Sequence, residues 1–227
     1  MKNHYVGDVN DFFKYSILEI IERELGKKIL VVWMLTQSEG MDIEYSHYKD
    51  KNEILFFKLE KIISSNKRNV KAIEEIYTNY SYHSVFLEKR TRLNYFNDVE
   101  EKSKKSNSNL IFFDPDIGIS YNISEKDNEH LYWDEVKRFW ELDKDLLIYQ
   151  HFKRQNWNEY MVELKKNIKR DLKGVFLIPI KTENVMFLYL SHEDVKGKLI
   201  KSVINWNNLI EIFDDGESNG TFKNKDR

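Results

Sequence analysis

The sequence predicts an α/β domain: a mostly parallel sheet with helices on both faces, a helical insertion after the first strand and a C-terminal antiparallel hairpin. Short apolar runs alternate with segments whose apolar residues recur at helical spacing, as is typical of this class. The run 110–113 contains no polar residue, which indicates a central strand covered on both faces. The apolar runs 174–181 and 184–190 are so close together that they must pair antiparallel.

The N-terminal part begins with an amphipathic helix. Apolar residues from Val9 onward share one side, Asp8 precedes them as a helix cap, and Gly26 marks the end. A β-branched run over 29–35 predicts the first strand. Two helical patterns then fill residues 42–82, more than a simple crossover needs, and predict a helical insertion on the rim of the sheet.

The remaining elements continue the alternation. A strand over 84–87 ends at Glu88, and helices over 90–105 and 130–142 precede and follow the central strand in the sequence. A strand over 145–151, a helix from Trp157, the hairpin and a last helix over 192–206 complete the order. We therefore predict one domain over 1–213, followed by a flexible polar tail over 214–227.

Composition narrows the classes of function. The 227 residues include no cysteine, which excludes disulfides, thiolate metal sites and cysteine nucleophiles. The 36 Lys and Arg nearly balance the 38 Asp and Glu, so any surface for nucleic acid must be local. No apolar stretch approaches the roughly 20 residues of a membrane span, and the first residues have no signal-peptide core, so we predict a cytoplasmic protein.

Two carboxylates follow the central strand. Asp114 and Asp116 flank Pro115, and this turn sequence stops the strand. In open α/β sheets ligands bind in the crevice beyond the carboxyl ends of the strands, so both acids are expected to face it. The alternative is a simple turn whose acids are solvated.

A histidine ends the strand over 145–151 and is expected at the same crevice. His151 would serve there as a general base or a phosphate contact. The neighbouring Lys153 and Arg154 would contact the substrate. The alternative is a histidine whose ring is satisfied by a backbone carbonyl.

The segment Gly7-Asp-Val-Asn-Asp-Phe-Phe-Lys14 resembles the helix-opening segment of the bacterial adenine-N6 methyltransferases that modify large-subunit ribosomal RNA. The resemblance implies a Rossmann-like fold of the class I methyltransferases and S-adenosylmethionine as cofactor. It also implies that the cofactor is bound at the start of this helix and after the first two strands. The expected cofactor residues are Gly7, Asp8, Asp11, Lys14, Thr36 and Glu88.

The family ends its central strand in Asp-Pro-Pro-Tyr, where this chain has Asp114-Pro115-Asp116-Ile117. By resemblance, the Asp114 side chain and the Pro115 carbonyl would hold the target amine of a nucleic-acid base, with Asp116 beside them. Ile117 cannot stack on an extruded base, a task that we assign to the nearby Tyr121. The chain also departs from the family in the loop after the first strand, where Gly40 stands late and alone.

Two other functions remain open. Asp114 and Asp116 would suit Mg²⁺ in a nuclease or phosphodiesterase, such as one acting against foreign DNA, with Glu39, Asp42 or Glu88 completing the site. A protein that kept the fold and lost the glycine loop would instead be a non-catalytic binding module. In the two enzymatic interpretations the partner is RNA or DNA.

Overall fold

The computed structural model describes residues 1–36, 46–65, 68–151, 157–183, 185–207 and 209–213. Its helices are α1 (Val9–Leu25), α2 (Glu53–Ser64), α3 (Val70–Ile76), α4 (Arg92–Lys105), α5 (Trp133–Trp140), α6 (Trp157–Asp171) and α7 (Lys196–Ser202). Its strands are β1 (Ile29–Val32), β2 (Ser81–His83), β3 (Leu110–Phe113), β4 (Gly118–Ser120), β5 (His130–Tyr132), β6 (Asp145–His151), β7 (Phe176–Thr182), β8 (Val185–Ser191) and β9 (Ile210–Ile212). None of the described helices has the length and apolar character needed to cross a bilayer.

Seven strands form one sheet in the order β2-β1-β3-β6-β8-β7-β9. The first four of these run parallel to one another. β8 lies antiparallel between β6 and β7, and β9 pairs antiparallel with β7. The predicted Rossmann-like α/β class, with its mostly parallel sheet and closing hairpin, is confirmed.

The register of the central strands places their carboxyl ends at one level. Val32 at the end of β1 is opposite Phe113 at the end of β3, and Phe113 is opposite Ile148 of β6. The residues that follow these positions therefore emerge side by side at one edge of the sheet. This edge is where ligands bind in folds of this kind.

Alternate residues of each central strand face opposite sides of the sheet, as the pleat requires. In β3, Leu110 and Phe112 join a core formed with α1, α2, α3 and α7. Ile111 and Phe113 join a second core formed with α4, α5 and α6. The all-apolar β3 is thus buried on both faces, which accounts for its sequence.

The second strand lies earlier than predicted. β2 covers Ser81–His83, whereas in the predicted stretch 84–87 Phe86 forms an isolated bridge with Leu35. Tyr82 of β2 stacks on Trp33 at 6.0 Å between ring centroids. An aromatic contact stabilises this edge strand, and its sequence contains no run of apolar residues. A search for apolar runs therefore placed the strand too late in the chain.

The helix predicted over 130–142 begins later, because residues His130–Tyr132 form β5 and pair with β4. The Arg92 guanidinium donates to the carbonyls of Asp127 and His130 and bonds the Glu135 carboxylate. These bonds connect separate parts of the chain and hold the residues before α5 in an extended conformation. Periodicity within one segment cannot show such long-range bonds.

The C-terminal region also differs from its prediction. The helix expected over 192–206 is shorter, since α7 covers Lys196–Ser202 and a 3-10 turn follows at Ile204–Trp206. The short strand β9 was not predicted, and it extends the sheet beyond β7. The tail over 214–227 lies outside the described residues.

His83, at the end of β2, gives the fold a dependence on pH. Its side chain is buried beside Tyr95, with ring centroids 4.5 Å apart, and neither ring nitrogen has a hydrogen-bond partner among the described residues. Burial, assisted by Lys102 and opposed by Asp98, lowers the pKa of the imidazole to about 4. The folded state thus favours the neutral ring, and the unfolded chain binds the proton first.

We expect the wild-type protein to lose stability as the pH falls from about 6.5 toward 4, because protonation of His83 favours unfolding in that window. His83→Phe removes this titration, and its free energy of unfolding should fall by about 1 kcal/mol less between pH 7 and pH 5. Urea denaturation at the two pH values measures the difference. An unchanged pH dependence in the variant would show that His83 does not titrate on unfolding.

Candidate functional site

A crevice of about 280 Å³ opens beyond the carboxyl ends of the central strands. Its walls come from the N-terminal segment, the start of α1, the loop after β3 and the end of β6. The predicted site residues among those that line it are Asp8, Lys14, Asp114, Pro115, Asp116 and His151. The structure therefore brings the helix-opening segment and the acidic pair to one site.

The centre of this site is a buried ion cluster. Lys14 Nζ lies 2.8 Å from Asp114 Oδ2 and 3.2 Å from Asp11 Oδ1, and the three side chains are 4%, 1% and 0% exposed. Burial alone would lower the pKa of the Lys14 ammonium, but Asp114 and Asp11 outweigh it and hold that pKa above its usual value. Lys14 therefore stays charged and fixes the Asp114 carboxylate at the end of β3.

The start of α1 positions the lysine. The Asp8 carboxylate accepts the backbone N–H of Asp11 at 3.0 Å and caps the helix, as its sequence position predicts. Asp11 in turn accepts the N–H of Gly7 at 2.8 Å. Burial, and then the neighbouring Asp11, raise the pKa of Asp8 to about 7.

Gly7 supports this helix start and does not line the crevice. Its φ of +93° lies in the region that favours glycine, and a Cβ there would come within 3.1 Å of Ile63 of α2. Close approach of the chain to α2 thus explains the glycine.

The second acid of the pair binds the Met1 amine, whose pKa is lowered by burial although Asp114 and Asp116 oppose this shift. Asp116 Oδ1 lies 2.9 Å from the Met1 amine, which also donates to the carbonyls of Met34 at 3.2 Å and Asp114 at 3.1 Å. Thr36 donates its hydroxyl to the other oxygen of Asp116 at 2.5 Å. The ends of β1 and β3 thus present three oxygen acceptors to the α-amino group of a methionine.

A second cavity of about 510 Å³ adjoins the first, and the two share Lys2 and Glu129 in their walls. Thr36 and Glu88, which follow β1 and β2, line this second cavity. Four of the predicted cofactor residues therefore divide between two adjacent spaces, with Asp8 and Lys14 in the first and Thr36 and Glu88 in the second, whereas Gly7 and Asp11 line neither.

Tyr149 is a lining residue that the sequence did not single out. Its ring lies 4.7 Å from Lys14 Nζ, and its hydroxyl is 3.3 Å from His151 Nε2. Because residues two apart on a strand face the same side, the position of His151 already implied that Tyr149 would accompany it.

Tyr121 is not brought to the crevice. It follows β4 and packs against Trp133, with ring centroids 4.9 Å apart, and it lines neither cavity. Short sequence distance from Ile117 was a poor guide, because β4 leads the chain away from the site. Lys153, Arg154, Glu39 and Asp42 lie outside the described residues.

The alternative magnesium site gains no support from the described part of the chain. No group of three carboxylates or histidines suited to a metal ion occurs there. The Asp114 carboxylate is bonded by Lys14, and the oxygens of Asp116 are bonded by Thr36 and the Met1 amine. A divalent ion would have to displace these partners.

The fold and the geometry define an acidic, amine-binding crevice at the carboxyl ends of parallel strands. No family model, curated protein or solved structure matches this chain. Function must therefore be inferred from the contacts and charges of the crevice itself.

Proposed function

We propose that the protein is an S-adenosylmethionine-dependent methyltransferase that acts on an amine of a nucleic-acid base, with adenine N6 as the target. The observation that carries this proposal is the ring of acceptors around the Met1 amine, formed by Asp116 and the carbonyls of Met34 and Asp114. The methionine half of the cofactor bears the same α-ammonium group. The contacts of the Met1 amine therefore support the idea that the same acceptors would bind the ammonium group of the cofactor.

The charge of the crevice also suits this ligand. S-adenosylmethionine carries an ammonium, a sulfonium and a carboxylate group and is positively charged overall, and Asp8, Asp114 and Asp116 line the crevice. The positive charge of Lys14 offsets part of this negative charge through its contacts with Asp114 and Asp11. The Met1 amine has to yield to a ligand that uses the same acceptors.

The adjoining cavity suits the nucleoside half. Glu88 lies in its wall, and a carboxylate can accept two hydrogen bonds at once, as the hydroxyl groups of a ribose require. The cofactor would supply an electrophilic methyl group and leave as a neutral thioether. Thr36, between the two cavities, orients Asp116 through its hydroxyl.

The target amine would meet Asp114 and Pro115. An ionised Asp114, held by Lys14, accepts an N–H of the amine and aims its nitrogen, and the Pro115 carbonyl offers a second acceptor. An adenine must leave its helix to reach this depth, and such bases are gripped by aromatic side chains. Tyr5 and Tyr149 line the crevice and supply aromatic surface in place of Tyr121.

Methyl transfer to adenine-containing RNA and DNA oligonucleotides tests the proposal. With radiolabelled S-adenosylmethionine, the wild-type protein should label one of these substrates. Asp114→Asn should reduce the rate by about 10-fold or more, because the amide oxygen still accepts a hydrogen bond but the charge that strengthens it is lost. Asp98→Asn, the same substitution at an exposed position of α4, is the matched control and should leave the rate unchanged.

Two results would contradict the proposal. One is the absence of labelling by the wild-type protein with every substrate. The other is equal labelling by Asp114→Asn and Asp98→Asn, which would remove Asp114 from the reaction.

A further inference from the structure

Among the described residues that line the crevice, His151 is a predicted site residue to which the proposed function gives no task. It ends β6, lines the crevice with Asp114 and Asp116, and is exposed at its outer side. Its backbone N–H donates to the Ile117 carbonyl at 2.9 Å, which ties it to the loop that carries the acidic pair. The imidazole thus lies between the depth of the crevice and the solvent.

The orientation of the ring is fixed by Tyr149. The two rings meet edge to face with centroids 5.1 Å apart, and His151 Nε2 is 3.3 Å from the tyrosine hydroxyl. In the tautomer whose Nε2–H donates to this oxygen, Nδ1 carries the free electron pair. A histidine held in this way is suited to accept a proton.

The other groups in the crevice are less suited to that task. The oxygens of Asp114 and Asp116 are already occupied by donors, which are Lys14 for Asp114 and the Met1 amine and Thr36 for Asp116. Burial raises the pKa of the Tyr149 phenol, so that group holds its proton. Two other carboxylates, those of Asp8 and Glu129, line the crevice. Asp8 already accepts the N–H of Asp11, and Glu129 lies in the wall shared with the second cavity.

We propose that His151 accepts the proton that the target amine loses after methylation, an inference that rests on the proposed function. The nitrogen would use its electron pair to bond the methyl carbon while the carbon–sulfur bond breaks and its electron pair goes to sulfur, so that the nitrogen becomes positively charged. An N–H bond then breaks, its electron pair returns to nitrogen, and the proton bonds to His151 Nδ1. The imidazolium passes the proton to water at the exposed rim.

The charges around His151 agree with this role. Burial and then Lys14 lower the pKa of the imidazole, as does the Met1 amine, whereas Asp114 and Asp116 oppose them. The uncharged Tyr149 faces it from its own strand. The net effect is a pKa below the usual value, so the ring is neutral near pH 7 and can accept a proton.

The pH dependence of methyl transfer tests this inference, with His151→Gln compared with Asp8→Asn and the control His192→Gln. His192 follows β8 at the opposite end of the sheet and stacks on Trp140. We expect His151→Gln to lower the rate by about 100-fold and to abolish the acidic limb of the pH profile. Calorimetry should show that this variant binds S-adenosylmethionine within about threefold of wild type. His192→Gln should match wild type.

Titration of His151 by NMR in the cofactor-free protein is a second readout, and its pKa should lie below 6.5 and agree with the acidic limb. The inference would be overturned if the acidic limb of the pH profile were unchanged in His151→Gln, or if it were lost in Asp8→Asn instead. In either case, methylation by the wild-type protein would still support the proposed function. A wild-type protein that binds no cofactor would overturn both.

Discussion

Lys14→Met is expected to lower the free energy of unfolding by about 3–5 kcal/mol, because it leaves buried carboxylates without their cation. Methionine has nearly the same length and fills the same space, so the change removes the charge and little of the packing. Burial raises the pKa of Asp11, and the variant removes the Lys14 ammonium that opposes this shift, so the loss of stability should be larger at pH 8 than at pH 5. Urea denaturation at both pH values measures this.

Two further variants identify the cause of the loss. Lys102→Met, at an exposed position of α4, should change the free energy of unfolding by less than about 0.5 kcal/mol. The double variant Lys14→Met with Asp114→Asn removes one of the uncompensated charges and should be more stable than additivity predicts, by about 1 kcal/mol or more. Strict additivity would mean that the Lys14–Asp114 contact contributes little.

Gly118→Ala is expected to have the second large effect, on the loop that carries the acidic pair. Gly118 has a φ of +129°, and a Cβ on it would lie 2.4 Å from the carboxamide of Gln150. That carboxamide accepts the N–H of Ile119 at 2.8 Å and cannot move without losing this bond. We expect a loss of about 3 kcal/mol, from strain and overpacking together.

The matched control is Gly26→Ala at the end of α1. Gly26 also has a positive φ, of +62°, but a Cβ there meets nothing within 4 Å. This variant should lose only the backbone term of about 1–2 kcal/mol. Thermal unfolding compares the two, and equal shifts in Tm would show that the contact with Gln150 is not responsible.

The sequence predicted the elements whose pattern is local. The buried run of β3, the cap and end of α1, and the hairpin of β7 and β8 each follow from residues within one segment. The sequence could not predict β2, β5 and β9 correctly, because these short strands depend on partners far along the chain. Arg92, which bonds the carbonyls of Asp127 and His130, is one such partner.

Some features of the candidate site could likewise be predicted from the sequence, and others could not. The positions of Asp114, Asp116 and His151 followed from strand ends, since parallel strands end at one edge. The pairing of Lys14 with Asp114 and the binding of the Met1 amine required the folded chain, because 100 and more residues separate these partners. Tyr121 was assigned by sequence distance, which β4 makes misleading.

Calorimetric titration with S-adenosylmethionine, and separately with Mg²⁺, tests most directly whether the crevice binds the cofactor. We expect saturable binding of S-adenosylmethionine to the wild-type protein and to Asp98→Asn. Asp116→Asn should weaken it about tenfold or more, because a charged hydrogen-bond acceptor for the ammonium is lost. Absence of heat with S-adenosylmethionine, together with clear binding of Mg²⁺, would contradict the account.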